Sequence, residues 1–518
     1  MLGGATLWEL LEKRVLESPD AEMVVDESGR RMTFAEFKAA AERAAAGFAD
    51  LGIGAGDVVT WQLPTWIESM VLVAALSRLG ATQNPILHIY REREVGFCVR
   101  QSGAKLLIVP TEWAQFDFKT MAEGIAADVA AETGRSVDVL ICDKSLPQGD
   151  PTTLGPPPER GDEVRWLFYT SGTTADPKGA RHTDHTIHAV AQGMGLHMQL
   201  TAEDTNGLAF PFPHIAGPIW LFSSLQTGTR NIFLQSFIPD QVVEVMGREG
   251  VTLAGSGTVF HQTYLAAQRQ ADHPIFPKVR AFPGGGSPKP PALQYELLDA
   301  FPMSIGILTG YGLTEAPILT MATPDDDVED LANTEGSPLP GVELRIVKTD
   351  GTVAGVGEEG EVRAKAPQMM LGYLDEALNE EAFDADGFFR TGDLGSLTDR
   401  GMLLITGRLK DVIIRKGENV SAKEVEDHLY QHPKVADVAV IGLPDERSGE
   451  RVVAVVATAE GEEPLEFAEM VEFLKGEGLM IIKVPEQLEH VDALPRNPAG
   501  KVLKQDLKAR YADSAPSR

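Results

Sequence analysis

The chain has 518 residues, too many for one hydrophobic core, and this length predicts two or more domains. Its 76 acidic and 46 basic residues give a formal net charge of −30, a field that disfavours nucleic acid and anionic membrane surfaces. Two cysteines, Cys98 and Cys142, cannot build a disulfide framework and read as reduced core thiols. The start of the chain is acidic and amphipathic, unlike a signal peptide, and no apolar run reaches membrane-spanning length. A cytoplasmic protein without integral membrane association is expected.

Residues 7–143 alternate helical and strand patterns. Residues 35–51 and 68–79 have helical spacing, whereas 58–63, 105–110 and 137–143 are short apolar runs. Such alternation predicts a layered α/β unit with a largely parallel sheet. Residues 149–158 form a proline-rich linker. Residues 164–169 then read as a buried strand, and 183–200 as a helix. Between them, 169–180 gathers two glycines, four Ser/Thr hydroxyls and Lys178 into twelve residues. Glycine lets backbone N–H groups close on an anion, hydroxyls donate further hydrogen bonds, and lysine adds charge, so strand, loop and helix together suit a phosphate. It is not a Walker A loop, because Lys178 follows Pro177 and precedes Gly179.

The α/β alternation continues from 166 to 313 and predicts a second layered unit. Residues 341–406 are β-rich, with a hairpin turn at 399–401, and predict a small β subdomain. After 407–410, the tail predicts an α+β domain of about one hundred residues, with helices at 422–431 and 465–475 and strands at 435–442 and 452–458. Residues 512–518 are expected to be disordered. The fold class is therefore α/β: a large N-terminal domain (1–407) of layered α/β subdomains plus a β subdomain, a hinge (408–411), and a mobile α+β domain (412–518).

The 169–180 segment resembles the phosphate-binding signature of the adenylate-forming superfamily, which contains acyl-CoA synthetases, adenylation domains of peptide synthetases and beetle luciferases. Five further segments match in order, so the resemblance covers nearly the whole chain. It implies ATP and Mg²⁺ dependence and an acyl-adenylate. The chemistry needs no enzyme nucleophile: transferring AMP to a carboxylate makes a good leaving group, and a thiol can then attack. The protein positions groups, neutralises phosphate charge and excludes water.

By that resemblance Thr170, Ser171, Gly172, Thr173, Thr174 and Lys178 hold phosphate. In 310–315, Tyr311 stacks on adenine, Thr314 donates to the α-phosphate and Glu315 binds Mg²⁺ with Thr170 nearby; Gly312 completes the turn. Relatives often carry Asn or Gln where this chain has Gly310, so a side-chain contact is lost there. Gly284, Gly285, Gly286 and Ser287 flank adenine and the acyl group. Asp393 accepts from ribose hydroxyls, and Arg408 contacts ribose or phosphate. Lys410 is the hinge pivot. Lys501 bridges the substrate carboxylate and α-phosphate during adenylation, where a cation stabilises developing charge. Arg415, Lys416, Gly417 and Glu418 form a turn that enters the site for coenzyme A, offsetting the negative field locally.

Phe212, His214, Trp220 and Gly257 fall in segments that line the acyl pocket of relatives, with His214 as its gate. No acid lies in 210–217 to pair an ammonium group, which disfavours an amino acid, and no lysine or arginine lies there for a dicarboxylate. A fatty, alicyclic or aromatic monocarboxylate remains; residues 84–88 and 284–286 resemble ligases of cyclohexane carboxylates and medium-chain acids. The leading expectation is an acid–CoA ligase. An adenylation enzyme loading a carrier protein is the alternative, and a homodimer is left open. A luciferase-like oxygenase has no positive sign, and a non-catalytic sensor is disfavoured by the presence of Lys178, Glu315, Asp393 and Lys501.

Overall fold

A computed structural model describes the chain except residues 171–175, 256, 288, 446, 498–499, 513 and 515–518. Most predicted elements form within a few residues of their expected positions. The alanine-rich run becomes the helix Phe34–Asp50, started by a reciprocal cap in which Thr33 and Glu36 satisfy each other's backbone N–H groups. Its spacing buries Phe34, Phe37, Ala41, Ala44, Ala45 and Phe48 on one side. The next helix, Ile67–Leu79, is buried nearly all round, because it lies inside the main core of the large domain.

The two layered units differ from the expected division of the chain. A six-stranded sheet runs Lys178–Thr183, Val164–Thr170, Thr82–Pro85, Val58–Trp61, Leu106–Val109, Asp138–Ile141. Two strands of the presumed second unit therefore complete the first sheet. The exchange is mutual. In the five-stranded sheet, Glu22–Asp26 pairs in parallel with Arg230–Phe233, which neighbours Thr205–Leu208. Periodicity assigns strands but carries no information on which sheet a strand joins, so the interleaving was invisible.

The strand Phe282–Gly285 pairs in parallel with Ile307–Tyr311 and places two motif loops side by side. The β subdomain is a four-stranded antiparallel sheet, Glu343–Val347, Gly360–Lys365, Phe389–Leu397 and Leu403–Arg408, as the sequence predicts.

A short 3₁₀ turn, Leu409–Asp411, leads into the C-terminal unit. Its five-stranded sheet is built around the long pair Val435–Asp445 and Gly449–Thr458, and it has apolar clusters of its own on both faces. The strand Gln487–Val491 and helix Lys504–Tyr511 went unpredicted. The segment expected to be disordered falls mostly outside the described residues. Ser514, within it, is fixed by Gln487 and Arg451, which donate to its hydroxyl and carbonyl at 2.6 and 2.7 Å. No helix among the described residues is long and apolar enough to cross a membrane.

Candidate active site

Thr170 ends its strand and Lys178 opens the next, antiparallel and directly opposite. The expected strand–loop–helix layout is thus corrected. The glycine-rich segment joins a hairpin, and the helix Asp184–His197 follows only after the second strand. Ser171, Gly172, Thr173 and Thr174 lie outside the described residues. The Lys178 ammonium stands 5.4 Å from the centre of the Tyr373 ring. The Tyr373 hydroxyl donates to Glu315 Oε1 at 2.8 Å. One aromatic residue that the motifs did not include therefore joins the phosphate-loop lysine to the motif carboxylate.

Close backbone approach explains the glycines. A Cβ at Gly285 would lie 2.7 Å from the Gly310 carbonyl oxygen, and one at Gly312 would lie 2.2 Å from the Ile318 nitrogen. Beneath the turn, buried His182 contacts the Thr314 carbonyl through Nε2 at 2.9 Å and Thr186 Oγ1 through Nδ1 at 3.1 Å. Burial pushes its pKa down to about 4, so it is a neutral pillar for Thr314. Sequence reasoning missed it; a polar residue at a buried strand position was the available signal.

Tyr311 donates its hydroxyl to Asp393 Oδ2 at 2.7 Å, and Arg408 Nε lies 3.0 Å from Asp393 Oδ1. Asp393 and Arg408 face each other across adjacent strands, which fixes this pair. Asp393 is only 4 % exposed, and burial together with its charge holds the Tyr311 phenol well above its usual range. The loop of Lys501 is closed on itself. Asn497 N donates to the Lys501 carbonyl, and Lys501 N to Asn497 Oδ1, each at 2.9 Å. Lys501 is half-buried rather than a fully exposed cation. Burial first, then the neighbouring cations Arg408 and Lys410, lowers its pKa to about 8.

These groups meet in a cavity of about 420 Å³ between the two domains, lined by Gly286, Tyr311, Asp393, Arg408, Lys410 and Lys501, among others. Lys410 sits in the short turn that connects the two domains and lines the cavity.

Glu315 is 8 % exposed, and its Oε2 has no hydrogen-bond partner among the described residues. A single available carboxylate suits Mg²⁺, which keeps water and phosphate oxygens as its other ligands. No cluster of three His, Cys, Asp or Glu side chains suited to a metal occurs among the described residues.

The acyl and coenzyme positions fare differently. Phe212 is fully buried between Trp61 and Phe233, with ring centres 6.3 and 5.3 Å away, so it is a core residue rather than a pocket wall. Trp220 is likewise buried within the helix Ala216–Thr227. His214 lines a small cavity of about 20 Å³ with Thr314, Tyr169 and Phe168. Burial lowers its pKa to about 4. Gly257, at φ +144°, packs beside the Gly285 carbonyl and Ser287.

Arg415 is not free to meet a coenzyme phosphate. Its guanidinium is buried, donates to the carbonyls of Ile482 and Val484, and pairs with Glu486 at 2.7 Å. Lys416, Gly417 and Glu418 form an exposed turn outside the cavity.

The geometry agrees with relationships to known proteins. The family model described as AMP-binding enzyme matches residues 11–374, and that of the AMP-binding enzyme C-terminal domain matches 424–501. The chain is 30 % identical to a medium-chain fatty-acid–CoA ligase of Escherichia coli, over 98 % of this chain and 91 % of that protein. It is 33 % identical to a salicyl-AMP ligase / salicyl-S-ArCP synthetase of Mycobacterium tuberculosis, over 97 % and 90 %. Among solved structures, ATP-bound MatB from Rhodopseudomonas palustris superposes with a TM-score of 0.87 at 28 % identity, covering 99 % of each chain. The o-succinylbenzoate–CoA synthetase of Bacillus subtilis with its acyl-adenylate gives 0.82 at 28 % identity, over 100 % of each. The chain belongs to the AMP-binding enzyme family of the adenylate-forming superfamily and is an AMP-forming acid–thiol ligase.

Proposed function

We propose that this enzyme activates a hydrophobic monocarboxylic acid with ATP and passes the acyl group to coenzyme A. A carboxylate oxygen attacks the α-phosphorus, pyrophosphate leaves, and an acyl-adenylate results. The coenzyme thiol then attacks the acyl carbon and AMP departs. Tyr311, Gly310 and 284–287 receive the base, Asp393 and Arg408 the ribose, and Thr314 with Lys178 the phosphates. Glu315 would hold Mg²⁺, which neutralises phosphate charge. Lys501 stabilises the charge that builds between carboxylate and α-phosphate.

The observation that carries this reading is the convergence of Lys501, Arg408, Asp393 and Tyr311 on one cavity between the domains. An apolar acid is supported by the uncharged 210–217 segment and by His214, which burial keeps neutral at pH 7. After adenylation, rotation about 408–411 would bring the Lys416–Gly417 turn to the cavity.

The Mycobacterium tuberculosis relative at 33 % identity is named as a carrier-loading enzyme, so a carrier protein is the second reading for the thiol. Pyrophosphate exchange across a panel of medium-chain, alicyclic and aromatic acids, repeated with free coenzyme A and with a phosphopantetheinylated carrier, tests both. AMP and an acyl-CoA are the expected products. Release of ADP would overturn the adenylate, and strict carrier dependence would replace coenzyme A.

A further inference from the structure

Glu335 is an acid in the wall of the same cavity, and no motif includes it. Its backbone is pinned on two sides: its N–H donates to the Leu403 carbonyl at 2.7 Å, and its carbonyl accepts from Thr320 Oγ1 at 2.7 Å. Its side chain is steered by Thr309, whose hydroxyl donates to Oε2 at 2.8 Å. Oε1 has no hydrogen-bond partner among the described residues.

The position along the strand Ile307–Tyr311 gives this carboxylate a meaning. Thr314 and Glu315, the phosphate and metal end, lie beyond Tyr311 in one direction. Thr309, which holds Glu335, lies two residues back in the other and pairs in register with Gly284. Glu335 therefore borders the Gly284–Gly286 and Gly310 floor at the end away from the phosphates. That floor exposes backbone without side chains, and Gly310 contributes none of its own. Nearby, the buried Lys289 ammonium donates to the Leu331 carbonyl and interacts favourably with Glu335.

We propose that Glu335 selects the nucleobase: its Oε1 accepts a hydrogen bond from the 6-amino group of adenine and rejects a 6-oxo purine. The inference rests on reading the cavity as the nucleotide site. A carboxylate can only accept, so an amine facing it is satisfied, whereas a carbonyl oxygen in the same place is repelled. The side chain lost at Gly310 is replaced from the loop that precedes the strand Ser337–Pro338.

The test compares ATP with inosine triphosphate, which differs only in carrying oxygen at C6 and a proton at N1. A hydrogen bond to a charged group supports discrimination of about ten- to a hundredfold. Wild-type enzyme should show that preference in kcat/KM for pyrophosphate exchange. Glu335→Gln, which can donate as well as accept, should bring the two nucleotides within about threefold of each other by this account. An unchanged preference in Glu335→Gln, or no preference in the wild type, overturns the proposal. Calorimetric titration of the wild type with AMP and IMP asks the same question without a variant, and equal affinities overturn it too. Failure of the broader reading looks different: no exchange with ATP for any acid.

Discussion

The small domain presents two basic loops, and they are in opposite situations. Lys501 lies in the cavity beside Arg408 and Asp393, partly buried, on a loop closed by Asn497. Lys416 and Gly417 lie on an exposed turn, held by Lys416 N donating to the Ser448 carbonyl at 2.6 Å, and line no part of that cavity. One rigid domain cannot offer both loops to one site at once. The contrast supports a division of labour in which this arrangement serves adenylation and another serves thioester formation.

The sharpest way to break the comparison is to remove the inner lysine. Lys501→Ala should slow adenylate formation about a hundred- to a thousandfold, the cost of losing one transition-state charge partner. Thioester formation from supplied acyl-adenylate should be nearly unchanged, and equal loss of both steps would remove the assigned role. The lysine also sets a pH limit. With its pKa lowered to about 8 from 10.5, the ammonium is intact below pH 8 and lost above it. The kcat/KM of adenylation should therefore fall with rising pH through about 8, and Lys501→Arg, which stays charged, should lose that descending limb.

Next in size is a change beside the outer loop. Arg415 is bound to two carbonyls and Glu486 inside the domain. Arg415→Ala should destabilise the small domain by about 2 kcal/mol, because a half-buried carboxylate and two carbonyls lose their partner. Calorimetric unfolding would show it. A raised KM for coenzyme A with an unaltered melting temperature would restore the coenzyme role. Lys416→Ala, one residue on, should do the reverse: stability unchanged, pyrophosphate exchange unchanged, and KM for coenzyme A raised severalfold, more at low salt.

This Arg415–Lys416 contrast also marks how far the sequence could be read. Element types were legible because their apolar spacing is local, and the place of Asp393, Tyr311 and Lys501 in one cavity was legible because their motifs are contiguous and ordered. The roles of Arg415, Phe212 and Trp220 depended on what lies across the fold. A guanidinium bound by the carbonyls of 482 and 484, or a phenyl ring between Trp61 and Phe233, leaves no local trace. Tyr373 and His182 were missed for the same reason, since each acts on a motif residue from a distant stretch of chain, and Glu335 reaches Thr309, beside a motif, from equally far along the sequence.

The smallest effect concerns what holds the small domain in this arrangement. Gln262, on the helix Thr258–Gln270 of the large domain, donates to the Tyr430 hydroxyl at 2.7 Å, and Tyr430 caps the helix Ala422–Leu429 of the small one. The contact spans the cavity wall and exists only while the domains are so placed. A neutral hydrogen bond of this kind contributes about 1 kcal/mol, or about fivefold in a conformational equilibrium. Tyr430→Phe deletes it while keeping the ring. Adenylation should slow by up to about fivefold, and thioester formation from supplied adenylate should hold or quicken, because the competing arrangement gains what this one loses. Equal slowing of both half-reactions would show that Tyr430 acts on the site itself rather than on the balance between the two loops.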